Sequence, residues 1–124
     1  MDYIEFLDSA KSLPQQGEIN LRNAMSRAYY AAFHACDSKY QTSSMEEGGM
    51  HERLIQTLKN CPDSKDKAIG YILAQLKGLR VIADYKLSVD IKDSDRETSI
   101  LQAEQLMQKI DVNFNAPSLA KKQN

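Results

Sequence analysis

Residues 18–42 run without a single glycine or proline. A stretch of that length free of both helix breakers predicts one long helix. Its centre carries Ala24, Ala28, Ala31, Ala32 and Ala35. Small residues let neighbouring helix axes approach closely, so this segment is the expected central helix of a bundle.

The flanking segments share the helical period. Tyr3, Phe6, Leu7, Ala10 and Leu13 predict a first helix over about residues 2–13, stopped by Pro14. Ser43 to Gly49 reads as a loop. Met50, Leu54, Ile55 and Leu58 mark a short third helix, which Cys61-Pro62-Asp63-Ser64 breaks. Ile69, Ile72, Leu76, Leu79 and Ala83 place an amphipathic fourth helix over about 64–86. Gly70 and Gly78 lie inside it, and each costs about 1 kcal/mol against alanine. Close packing on the Ala-rich helix is the expected reason for both. Ser94-Asp95-Arg96-Glu97 fits an S-x-x-E capping box, so a fifth helix is expected to start near 94, with Ile100, Ala103, Met107 and Ile110 as its apolar stripe. No segment alternates with period two. The expected fold is all-α, an up-and-down antiparallel bundle of four to five helices. Residues 1–112 form one expected domain and residues 113–124 a flexible C-terminal tail.

Composition narrows the function classes. The 124 residues suffice for one domain with a real core and are too few for a two-domain nucleotide-dependent enzyme. Sixteen basic and 17 acidic side chains give a net charge of −1, which excludes a generally basic nucleic-acid coat protein. The charge is uneven, however: residues 51–86 hold 7 basic and 4 acidic side chains. Those cations are Arg53, Lys59, Lys65, Lys67, Lys77, Arg80 and Lys86, either a solvated helical face or a local anion-binding patch. Cys36 and Cys61 make no C-x-x-C pair and no disulfide framework, so a reducing compartment is expected. Met1-Asp2-Tyr3-Ile4-Glu5 does not resemble a secretion leader, and no apolar run approaches the ~20 residues of a membrane span. A cytoplasmic protein with no membrane contact is expected.

One polar stripe carries possible chemistry. Asn23, Arg27, Tyr30 and His34 are spaced to share a face of the second helix, and Asn20 extends the stripe backwards. Arg27 and His34 lie two turns apart, ~10.5 Å of rise, close enough for long side chains to reach one phosphate between them. RNA is cleaved without metal when its own 2′-hydroxyl attacks the adjacent phosphorus. Such a site needs a proton acceptor, a cation for the developing charge and a proton donor for the leaving oxygen. Histidine suits the proton transfers and arginine the phosphate contacts. Tyr30 and Asn23 are then candidates for substrate positioning. The structural alternative stands beside this. Arg27 pairs with Asp84 at the end of the fourth helix, and Tyr30 and His34 are ordinary bundle residues.

Other motifs are absent. Gly48-Gly49 lacks the Lys-Ser/Thr of a P-loop, and His34, Cys36, His51 and Cys61 do not have zinc spacing. No metal and no cofactor is expected. Ser26 and Cys36 read as packing residues. His51, opening the third helix, is either a cap neighbour or a loop contact.

Three stretches together carry a family resemblance: Ser26-Arg27-Ala28-Tyr29-Tyr30-Ala31-Ala32-Phe33-His34-Ala35, Gly49-Met50-His51, and Leu79-Arg80-Val81-Ile82-Ala83-Asp84-Tyr85. In that order they resemble the small stand-alone HEPN proteins of prokaryotes, over about residues 1–112. The resemblance implies a helical bundle, often a homodimer, in a superfamily of RNA-cleaving toxins and defence effectors. Many of those are metal-independent endoribonucleases with an R-x4–6-H motif. Arg27 and His34, with six residues between them, meet that spacing. By analogy His34 transfers protons and Arg27 holds the phosphate. The late stretch, where toxins encoded beside minimal nucleotidyltransferases carry their motif, keeps Arg80 but has Tyr85 and no histidine. Arg80, Asp84 and Tyr85 therefore join Asn23 and Tyr30 as expected substrate-binding residues. The resemblance leaves two functions open. One is an RNA- or nucleotide-associated protein that is a candidate metal-independent endoribonuclease of a toxin or defence system. The other is a non-catalytic module that binds another protein, such as an antitoxin or a nucleotidyltransferase.

Overall fold

A computed structural model describes residues 2–40, 49–111 and 113–114. Five helices follow in order: α1 Tyr3–Ser12, α2 Glu18–Tyr40, α3 Met50–Lys59, α4 Ser64–Tyr85 and α5 Asp93–Ile110. No strand occurs among the described residues. The loop expected over 43–48 and the tail from 115 lie outside them.

Local chemistry sets the helix ends. Asp2 caps α1, accepting from the Ile4 N–H at 3.1 Å, while the Asp2 N–H donates to Glu5 at 2.7 Å. This reciprocal pair satisfies two orphan donors of the first turn. Gly17 supplies the left-handed backbone, φ +89°, that turns the chain into α2. Asp63 accepts from the Lys65 and Asp66 N–H groups and starts α4. The expected box at Ser94 and Glu97 is displaced: α5 begins at Asp93, and the Asp95 carboxylate reaches back to the Lys92 N–H at 2.9 Å.

Helix α2 is the hub and packs on α1, α4 and α5, while α3 lies on α4. Ala24, Ala28, Ala31, Ala32 and Ala35 are all fully buried, as expected of a helix approached from several sides. Leu7, Leu54, Leu58, Leu73, Leu76, Leu106 and Met107 fill the space around them. Side-chain rungs show the antiparallel pairing of α2 and α4: Tyr40 meets Asp66, Tyr30 meets Arg80, Ser26 meets Asp84 and Arg22 meets Ile82. Phe114 folds back against this core.

The two glycines of α4 do not face α2. A Cβ at Gly70 would stand 2.7 Å from Leu58 Cβ and 2.9 Å from the Lys59 nitrogen, so the close approach is to α3. Among the described residues Gly78 has nothing within 4 Å of its Cβ position, so no close packing by them requires a glycine there. Two buried arginines perform a job the sequence does not advertise. Arg96 donates to the carbonyls of Ala10 and Lys11 at the end of α1, and Arg22 caps the end of α4. Each answers carbonyls left open where a helix stops.

Candidate functional site

The polar stripe of α2 divides between two neighbours. Arg27 leans onto α1 and donates a 2.7 Å hydrogen bond to Ser9 Oγ. His34 also turns to α1, where its ring stacks on Phe6 at 5.0 Å. The cleft beside His34 is lined by Asp2 and Asp37, a poor setting for a phosphate. Asn23 is exposed. Tyr30 turns the other way, towards α4, and its hydroxyl accepts a 2.8 Å hydrogen bond from Arg80 Nη2. The described contacts give Arg27 and His34 no shared partner.

The Arg27–Asp84 pair of the structural alternative does not form. Asp84 pairs with Arg80, one turn away on its own helix, with Nε–Oδ2 at 2.9 Å. The same carboxylate oxygen accepts from Ser26 Oγ at 3.1 Å, so Ser26 is a polar link between helices and not a packing residue. Spacing i, i+4 favours the local arginine over one on another helix.

Arg80 is the centre of the second cluster. Its guanidinium lies over the rings of Tyr29, Tyr30 and Tyr85 at 5.9, 5.3 and 5.4 Å. Although Arg80 Nε is close to Asp84, its N–H is not aimed well enough for a hydrogen bond. Arg80 thus keeps donor capacity beside three aromatic faces.

His51 completes the cluster from the first turn of α3. Its ring stacks on Phe33 at 3.9 Å and nearly parallel, 5° between planes, and stands edge-on to Tyr30. Burial, then the nearby charges of Arg80 and Lys77, lower its pKa and hold the imidazole neutral. Burial raises the Tyr29 phenol well above its ordinary value, and its hydroxyl shares a hydrogen bond with His51 Nδ1 whose direction follows the imidazole tautomer.

The structure therefore joins Tyr30, Arg80, Asp84 and Tyr85 of the expected residues, places His34 at the edge of the cluster with its ring centre 6.3 Å from that of Tyr30, and leaves Arg27 and Asn23 outside. Tyr29 and His51 belong to the same cluster. The available hint was the Tyr29-Tyr30 doublet, both of whose rings reach Arg80 and His51. Among the described residues no group of three His, Cys, Asp or Glu side chains could hold a metal ion. No described helix is long and apolar enough to cross a membrane. A cation with spare donors, a neutral imidazole and an exposed phenol are suited to recognising a phosphate and the base attached to it.

No curated protein and no solved structure gives a significant match to the chain. The family model described as HEPN domain does match, over residues 4–113, which spans all five helices and both arms of the Arg80 cluster. The chain is a member of the HEPN domain family.

Proposed function

We propose that this HEPN protein associates with RNA or nucleotides through the Arg80 cluster, as a binding module, and that Arg27 and His34 are structural. The observation that carries this reading is the arrangement of Arg80 across Tyr29, Tyr30 and Tyr85. A charged guanidinium contacts phosphate, and the exposed Tyr85 ring offers a face to a base. Arg27 and His34 are held separately by Ser9 and Phe6, which leaves the R…H pair without a common target.

A second reading, metal-independent RNA cleavage, is favoured by one feature: His51 is a neutral imidazole beside Arg80. A neutral imidazole is the form that accepts a proton from a 2′-hydroxyl. A homodimer fits the family, and the exposed Ile19, Tyr85, Leu87 and Val89 offer apolar surface for a second copy or for another protein.

The test is equilibrium binding of fluorescent single-stranded RNA in EDTA, with the same samples run on a gel for cleavage. Wild type is expected to bind, Arg80→Ala to lose most affinity and Arg27→Ala to match wild type. Loss of binding in Arg27→Ala with full binding in Arg80→Ala overturns the assignment. Cleavage by wild type that disappears in His51→Gln establishes the second reading.

A further inference from the structure

A mid-helix glycine that touches none of the described residues calls for an explanation. Gly78 costs helix propensity of about 1 kcal/mol, and a Cβ there would meet no described atom within 4 Å. It is exposed and lines a 540 Å³ groove between α3 and α4. Ile55, Ala74, Val81 and Ile82 make that lining partly apolar. The rim is cationic, with Lys59, Lys77 and Lys86. The acid on the rim, Glu52, is engaged by Lys77 at 2.8 Å, which leaves the lining with a net positive charge.

The groove is also long. Ala74 and Lys86 are twelve residues apart on the chain, about 18 Å along a helix axis. A stacked strand rises about 3.4 Å per nucleotide along its axis, so a few nucleotides span that length. Two exposed aromatic rings stand on α4 before and after the stretch Ala74 to Ile82 that lines the groove, Tyr71 at 53% and Tyr85 at 68% exposure. Each has a cation over it: Lys59 Nζ lies 5.2 Å from the Tyr71 ring centre, and Arg80 lies 5.4 Å from that of Tyr85. Stacking faces joined by a positive groove are what an extended single strand uses, and an acidic peptide has no bases to stack on them.

We propose that the α3–α4 groove over Gly78 is the track of a single RNA strand, running from Tyr71 to Tyr85. The inference rests on the proposed RNA association at Arg80 and extends it along α4. Phosphates lie against Lys59 and Lys86, and terminal bases stack on the two tyrosines. Gly78 is glycine because a side chain there would fill the track.

The test measures anisotropy of a labelled single-stranded RNA of about 12 nucleotides against wild type, Gly78→Ala, Gly78→Leu, Tyr71→Ala and Arg80→Ala. AMP and a glutamate-rich peptide serve as competitors, and thermal melts accompany every variant. Gly78→Leu is expected to weaken binding about tenfold or more with no loss of melting temperature, and Tyr71→Ala by about five- to tenfold. Gly78→Ala is expected to weaken binding by a smaller factor than Gly78→Leu, and neither competitor displaces the strand at equal concentration. Wild-type affinity in Gly78→Leu, with affinity lost in Arg80→Ala, overturns the track and leaves the Arg80 reading intact. No RNA binding by wild type overturns both. Displacement by AMP at equal concentration replaces the strand with a mononucleotide, and displacement by the peptide replaces it with an acidic protein.

Discussion

The guanidinium of Arg22 on α2 donates a 2.7 Å hydrogen bond to the carbonyl of Val89, beyond the end of α4. It also donates to the carbonyls of Ile82, Ala83, Lys86 and Leu87 at 2.9–3.3 Å. One side chain thus satisfies the last turn of α4 and fixes the connection to α5. Hydrogen bonds to a charged donor are worth more than neutral ones, and Arg22 is almost fully buried. Arg22→Met is expected to destabilise the fold by about 3 kcal/mol, read by chemical denaturation. Hydrogen exchange should accelerate over 82–91 before it does elsewhere. Unchanged stability in the variant would mean that solvent serves these carbonyls equally well.

The bundle is legible because its signals are local. Asp2 with Glu5, Asp63 before Ser64, and the alanines of α2 each act within a few residues, and the five helices start and stop within a residue or two of expectation. Arg22 and Arg96 escaped notice because capping the end of another helix leaves no spacing in the sequence. The stripe on α2 shows the same boundary. Periodicity correctly puts Asn23, Arg27, Tyr30 and His34 on one face, but that face meets both α1 and α4. Which neighbour each side chain leans towards depends on where Ser9, Phe6 and Arg80 arrive. His51 is legible as the opening of a short helix and as part of the Gly49-Met50-His51 stretch, but its partners Tyr29 and Phe33 come from α2 and leave no spacing to read.

Arg27 provides a clean contrast with Arg22. It is half-buried and makes one described side-chain hydrogen bond, to Ser9 Oγ. Arg27→Ala is expected to cost about 1 kcal/mol and to leave RNA affinity unchanged. Paired denaturation and binding titrations check both halves. A loss of several kcal/mol would restore a structural role like that of Arg22.

His51 makes stability depend on pH, and the sign follows from its lowered folded-state pKa. The unfolded chain binds the proton more readily than the native one, so stability rises with pH. It is constant above the unfolded value of ~6.5 and falls as the pH drops from there through the lower folded value. Carboxylates titrate further down and add their own slope. Wild type minus His51→Gln, measured by urea denaturation at several pH values, isolates the histidine. The difference is expected to shift against wild type as the pH falls below that of the free imidazole. A flat difference would mean that the native protein holds the imidazolium without penalty.

The two thiols are expected to separate by reactivity. Cys36 is fully buried on α2, and burial, with the Asp37 charge adding to it, pushes its thiol up to about 12. The thiolate is the nucleophile, so this residue is both hidden and protonated. Cys61 is partly exposed after α3. Iodoacetamide at neutral pH should label Cys61 on the folded protein, and Cys36 only after denaturant is added. Peptide mapping distinguishes the sites, and early labelling of Cys36 would show that the α2 core opens.

The glycines of α4 are expected to respond in opposite directions to the same substitution. At Gly70 a new Cβ falls 2.7 Å from Leu58 Cβ and 2.9 Å from backbone of α3, neither of which is the flexible end of a side chain. Relief requires α3 to move away from α4, so Gly70→Ala should cost about 1–3 kcal/mol despite the better helix propensity of alanine. At Gly78 no described atom lies within 4 Å of the Cβ position, and Gly78→Ala should gain about 0.5–1 kcal/mol. Thermal and urea unfolding of the two single variants decide the matter. Destabilisation at both positions would mean that α4 is pressed against a neighbour along its whole length, and the groove over Gly78 would not be open space. Stabilisation at both would place α3 further from α4 than the Leu58–Gly70 contact requires. Only opposite signs agree with a helix that is clamped at its N-terminal half and open beyond it.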